Sequence, residues 1–103
     1  MSKYRAIKTT VDNIVFASKK EAARYSELKM LERSGYLGSL TLQPRYPIYF
    51  GKVKICDYVA DFTYRTKDNK IVVEDVKGMK TPTYRLKYKM FHACYPELRI
   101  TEL

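Results

Sequence analysis

A chain of 103 residues, 46% of them hydrophobic, has the size of a single domain with one modest core. Lys and Arg outnumber Asp and Glu by 20 to 11, and the resulting net charge of +9 suits a polyanionic partner. No apolar stretch approaches the roughly 20 residues needed to span a bilayer, no linker or repeat divides residues 1–103, and Cys56 and Cys94, without metal-ligand spacing, read as reduced, largely buried thiols.

The start, Met1-Ser2-Lys3-Tyr4-Arg5, lacks the apolar segment of a signal peptide, so the expected location is the cytoplasm. Arg5 to Phe16 reads as a short hairpin around the turn-favouring pair Asp12-Asn13. Ser18 then has the character of a helix N-cap, with helical sequence from Lys19 to about Arg33 and a C-terminal stop at Gly35. Three strand-like runs follow. Leu40–Phe50 is rich in aromatic and β-branched residues, with Pro44 and Pro47 marking an edge or bent strand. Val53–Arg65 alternates, Lys67-Asp68-Asn69-Lys70 makes a turn, and Ile71–Lys77 returns. Thr81-Pro82 opens a second helix that reaches about Cys94. Pro96 closes it, and Leu98–Leu103 supplies a last strand. The expected fold is α/β, with one mixed central sheet flanked by two helices (helix–three strands–helix–strand) after the N-terminal hairpin.

Side chains alternate along a strand, so Asp75 and Lys77 share one face, continuing Ile71 and Val73, while Glu74 points the other way with Val72 and Val76. The short turn makes the two preceding strands antiparallel neighbours, which brings Asp61 close to Asp75. Two adjacent carboxylates repel unless something positive lies between them. Mg²⁺ suits that role because it takes oxygen ligands, keeps waters and accepts phosphate oxygens. A metal there polarises a phosphoryl oxygen and activates a water, and Lys77 orients or deprotonates that water. These are the parts of a phosphodiester hydrolase.

At these residues the chain resembles the PD-(D/E)xK nuclease superfamily over most of its length. Tyr58-Val59-Ala60-Asp61 matches the first half of the signature, with Ala60 where proline often stands, and Asp75-Val76-Lys77 matches the second. The element order is also similar to the superfamily core. The closest likeness is to small phage-encoded endonuclease-like proteins, Holliday-junction resolvases and the endonuclease subunit of a cut-and-paste transposase. Several of these carry a glutamate on the first helix, matched by Glu21. The resemblance implies a restriction-endonuclease-like fold and a Mg²⁺-dependent endodeoxyribonuclease, with Mn²⁺ able to substitute. Glu21, Asp61, Asp75 and Lys77 are then catalytic, with Glu21, Asp61, Asp75 and Val76 at the metal. The implied partners are DNA, with branched or recombination intermediates among the implied substrates, and a second copy or a larger assembly. A phage-encoded relative would work in the host cytoplasm. The alternative is a non-catalytic nucleic-acid-binding or accessory module that retains the nuclease fold.

Two readings of Glu21 stand side by side. Ser18-x-x-Glu21 matches a capping box, yet helical projection puts Glu21 between Tyr25 and Leu28, facing the sheet. Gln43 resembles a polar residue that borders such a site, and Glu74 supports it from behind. Lys80, Arg85, Lys87 and Lys89 are the expected phosphate contacts. Arg85, Lys89 and His92 fall on one face of the second helix, opposite Leu86, Met90 and Ala93. Lys87 projects towards the apolar side near Phe91.

Overall fold

The computed structural model describes residues 7–77 and 79–103. In chain order these form β1 (Thr9–Val11), β2 (Ile14–Phe16), α1 (Lys19–Arg33), β3 (Leu37–Leu42), β4 (Arg45–Phe50), β5 (Val53–Val59), β6 (Phe62–Thr66), β7 (Ile71–Asp75), α2 (Pro82–Cys94) and β8 (Ile100–Glu102). The architecture is mixed α/β, a small sheet with two helices, and no helix of the described residues is long and apolar enough to cross a membrane.

Local chemistry sets most boundaries. Asp12 and Asn13 both take positive φ, 53° and 63°, as a two-residue hairpin loop requires, and Val11 pairs with Ile14 across it. The expected beginning of that hairpin at Arg5 lies outside the described residues. Ser18 caps α1 by accepting from Glu21 N at 3.1 Å, and Gly35 (φ 80°) ends it as Tyr36 N donates to Leu31 O. Thr81 caps α2 in the same way, with Pro82 in the first turn.

The long strands expected over Leu40–Phe50 and Val53–Arg65 are each broken in two. Gln43, at φ 50°, and Pro44 divide β3 from β4; directly opposite, Ala60 and Asp61 divide β5 from β6. Gln43 N donates to Asp61 O at 2.9 Å and Ala60 N to Pro44 O at 3.2 Å, so the two breaks form one bend. Below the bend, β3 and β6 belong to a four-stranded sheet of order β3-β6-β7-β8, antiparallel except for the β7–β8 pair. Beyond it, β4 and β5 leave as a separate two-stranded ribbon.

Alternation along β7 places the helices on opposite faces of that sheet. Val73 packs with Tyr84 and Phe91 of α2 and with Ile48, Tyr58 and Ala60 around the bend. Glu74, the next residue, meets Arg24 of α1 instead. On that side Ala22, Tyr25 and Leu28 pack with Phe16, Leu37 and Phe62. Ile71 is exposed, so the apolar stripe beneath Asp75 begins at Val73 rather than Ile71.

The inner face of α2 differs from expectation. Leu86 is 57% exposed and Ala93 is exposed too, whereas Tyr84, Tyr88, Phe91 and Tyr95 form the inner side. Aromatic rings bury more area than Leu or Ala, and rings from the ribbon complete the stack: Tyr46 and Tyr58 lie 5.1 and 5.2 Å from Phe91. With α2 so rotated, His92 leaves the solvated basic face. Its Nδ1 donates to Tyr88 O at 2.9 Å and its Nε2 accepts from Ile100 N at 3.3 Å, fastening α2 to β8. Cys56 and Cys94 are half-buried free thiols.

Glu74 is 1% exposed and receives Arg24 Nε at 2.8 Å, Arg24 Nη2 at 2.6 Å and the Tyr64 hydroxyl. Removing one member of such a pair leaves a buried charge uncompensated. Arg24→Met is therefore expected to lower the unfolding free energy by about 3–5 kcal/mol in a urea titration. A loss below about 1 kcal/mol would show that another contact holds α1 to the sheet.

Candidate active site

Asp61 stands in the bend and Asp75 at the end of β7, and each carboxylate accepts a backbone amide from across the strand pair. Asp61 N–H donates to Asp75 Oδ1 at 3.1 Å, and Val76 N–H donates to Asp61 Oδ2 at 2.7 Å. Asp75 is fully buried, and its Oδ2 has no hydrogen-bond partner among the described residues. An orphaned buried acceptor costs about 1–3 kcal/mol.

Lys77 completes the group. Its Nζ lies 3.9 Å from Asp75 Oδ1 and 4.5 Å over the centre of the Tyr84 ring, a cation–π contact that fixes where the ammonium sits. Its own N–H donates to Leu103 O at 3.2 Å, anchoring the chain just beyond β7. Val76 turns its N–H to Asp61 and packs its side chain with the α1 core, which leaves its carbonyl as the group it can offer a cation.

Glu21 approaches from α1 and is only 7% exposed. Half of the capping box is present, Glu21 N to Ser18 Oγ, but among the described residues no return bond runs from Ser18 N–H to the Glu21 carboxylate. The carboxylate instead lines a cleft of ≈ 210 Å³ with Gln43 and Asp61, walled by Ile14, Val15, Phe16 and Leu42. Glu74 is absent from it, since Arg24 and Tyr64 hold that carboxylate on the α1 face.

All three clustered acids resist ionisation. Burial, reinforced by Asp61, raises Glu21 to about 7 against the pull of Lys77. Burial lifts Asp75 to about 6, opposed by Lys77 and the Asp61 amide. Asp61 is raised by burial too, with Val76 N–H and Lys77 working the other way. Among the described residues no three His, Cys, Asp or Glu side chains converge closely enough, as they lie, to hold a metal ion. The donor chemistry nonetheless fits a hard divalent cation. Glu21, Asp61 and Asp75 offer only oxygen, one of those oxygens is buried without a donor, and a positive charge would relieve all three upward shifts.

Two residues at this site, Tyr84 and Glu102, were not among its expected members. Tyr84 places its ring under Lys77 and donates its hydroxyl to Glu102 Oε2 at 2.7 Å; Glu102 Oε1 lies 3.2 Å from Lys80 Nζ. Glu102 is the cross-strand partner of Asp75. Alternation of Ile100 and Glu102 beside Val73 and Asp75 is the signal that could have found it, once the last strand was set parallel to β7.

The basic residues divide. Lys80, Arg85 and Lys89 line a cleft of ≈ 490 Å³ together with Tyr84, Tyr88 and Glu102. Lys87 is elsewhere, its ammonium donating to Asp57 O of β5 at 3.3 Å, so it braces α2 against the ribbon.

Fold and site together define a small mixed α/β protein with buried acids and a lysine gathered where its longest hairpin bends. The chain belongs to the family described as Protein of unknown function (DUF1064), whose model matches residues 1–103. No curated protein and no solved structure matches it.

A carboxyl whose folded pKa is raised binds more protons folded than unfolded, so its contribution to stability declines as pH climbs from the unfolded value to the folded one. For Glu21 that window runs from 4.5 to about 7. In chelator, Glu21→Gln is expected to melt progressively higher than the parent as pH rises through this window. Parallel melting profiles for the two proteins would show that the Glu21 carboxyl is not under this pressure.

Proposed function

We propose that this chain is a divalent-metal-dependent endonuclease of the PD-(D/E)xK type, hydrolysing DNA phosphodiester bonds. The observation that carries the reading is the crossed attachment of the two carboxylates, Asp75 to the Asp61 amide and Asp61 to the Val76 amide, with the Lys77 ammonium beside Asp75. The element order supports it. Leaving out the ribbon, the chain runs α1, three strands of one sheet, α2 and a last strand parallel to its neighbour, which resembles the restriction-endonuclease-like core.

Asp61, Asp75 and Glu21 would hold Mg²⁺ or Mn²⁺ with the Val76 carbonyl, and the ion would supply Lewis acidity towards a phosphoryl oxygen. The chain's own residues supply the rest. Lys77, positioned by Asp75 and Tyr84, orients the water that attacks phosphorus and offsets negative charge as the new P–O bond forms and the ester bond breaks. Gln43 borders the cleft beside Glu21 and Asp61. Arg85 and Lys89 are exposed on the neighbouring cleft and meet the phosphate backbone. The same resemblance supports work as a homodimer or within a larger assembly.

One observation favours the second reading, a nucleic-acid-binding or accessory module that does not cut: among the described residues, ligating side chains do not converge as they lie. Two variants separate the readings. Lys77→Ala is expected to lower cleavage at least a hundredfold while metal binding by calorimetry and most DNA affinity persist. Asp75→Ala is expected to lose metal binding and cleavage together. A folded Lys77→Ala protein cutting at the parent rate would overturn the mechanism; a parent that binds DNA without cutting in Mg²⁺ or Mn²⁺ would establish the second reading.

Binding should also weaken steeply with salt. Replacing Arg85 and Lys89 by alanine is expected to reduce the slope of log affinity against log salt by about two, one for each phosphate contact. An unchanged slope would put the DNA on another face.

A further inference from the structure

The ribbon beyond the bend takes no part in the acidic site, yet its outer half is built unlike the rest of the surface. Phe50 and Val53 face each other across the loop Gly51-Lys52, where Gly51 (φ 58°) supplies the positive φ of a tight hairpin turn. Phe50 is 81% exposed, and Tyr49, Val53 and Ile55 are each more than half exposed. Four large apolar side chains at one tip are more than the scattered apolar exposure normal for a surface. Only the inner half of the ribbon is packed, through Tyr46, Ile48, Cys56 and Tyr58 against α2.

Charge and strand geometry choose the partner. Arg45, Lys52 and Lys54 face one carboxylate on the ribbon, Asp57, which pairs with Arg45 and Lys54 and leaves the tip residue Lys52 outside any ion pair among the described residues. Two copies docked tip to tip would bring like charges together. Adding a strand to either edge is discouraged by the cations and by the register shift between Ile48 and Tyr49. A two-stranded ribbon carrying lysine beside exposed rings suits duplex DNA. The major groove admits such a ribbon, and apolar side chains at a tip can wedge between base steps.

Resting on the nuclease reading above, we infer that the β4–β5 ribbon is a DNA-binding arm whose tip, Phe50 with Lys52, engages the duplex at a fixed distance from the cutting site. Asp61 follows the arm directly. Val53 to Asp61 in extended chain spans about 25 Å, or roughly seven base pairs at ~3.4 Å each. The arm thus acts as a spacer as well as a contact.

The test uses the full chain with chelator, so that binding is read without cutting, on a labelled duplex and a labelled four-way junction. Phe50→Ala is expected to weaken binding roughly 5- to 100-fold, the effect of losing one stacked base. Lys52→Ala should lower the salt slope by about one. A hydroxyl-radical footprint should lose one protected patch, roughly seven base pairs from the centre of the protection that persists. Both side chains are exposed, so the melting temperatures should match the parent's. Unchanged affinity and footprint for both variants would overturn the inference. So would a Phe50→Ala protein that binds DNA normally but loses self-association by light scattering, which would make the arm a chain–chain interface. A parent that binds but never cuts when metal is restored would sink the nuclease reading alone, because affinity and footprint still judge the arm.

Discussion

Two amide groups hold the functional end of this protein together. Asp61 N–H reaches the Asp75 carboxylate, and Val76 N–H reaches the Asp61 carboxylate. Each bond requires the other strand in one register and each carboxylate turned one way. The bend is part of the same constraint: Asp61 N–H divides between Glu74 O and Asp75 Oδ1, each at 3.1 Å, while β4 and β5 leave the sheet. Site and ribbon are therefore two outcomes of one break in strand pairing.

α1 treats the two carboxylates of β7 differently. Glu74 is met by a two-pronged guanidinium and a phenol, and burial, together with the bond to that carboxylate, pushes the Tyr64 hydroxyl up to about 12. Asp75, one residue on, receives a single amide and a distant ammonium, and keeps one oxygen with no partner among the described residues. The same helix adds Glu21 on the side of Asp61 rather than a base that would neutralise it. Satisfied charge fixes the helix to the sheet, and unsatisfied charge is left where a cation can relieve it.

What could be read in the sequence followed the range of the interactions involved. α1 is legible because Ser18 and Gly35 mark its ends within a few residues, and α2 because Thr81-Pro82 marks its start. The proximity of Asp61 and Asp75 is legible because a short turn joins their strands. Pro44 announces one half of the bend. The other half carries no local mark, since alternation continues across Ala60-Asp61 and only the bonds to Gln43 and Pro44 across the hairpin divide it. The inner face of α2 was misjudged because hydrophobicity favours Leu86 and Ala93, whereas rings from the ribbon decide the packing. Arg24, Tyr64, Tyr84 and Glu102 join the account only when helix sides and the parallel β8 are known.

The alternation of β7 also sorts structure from chemistry by position alone. Glu74 and Asp75 differ by one methylene, and what makes one a fastening and the other a candidate ligand is the face each occupies. An extra residue in the turn from Lys67 to Lys70 leaves that sorting untouched, because the loop absorbs it. An extra residue just before Glu74 turns Asp75 and Lys77 together onto the α1 face and Glu74 onto the other, so neither acid keeps its present partners. The turn can thus change length without cost to the site, while the run from Val73 to Lys77 cannot gain a single residue without changing which face each acid occupies.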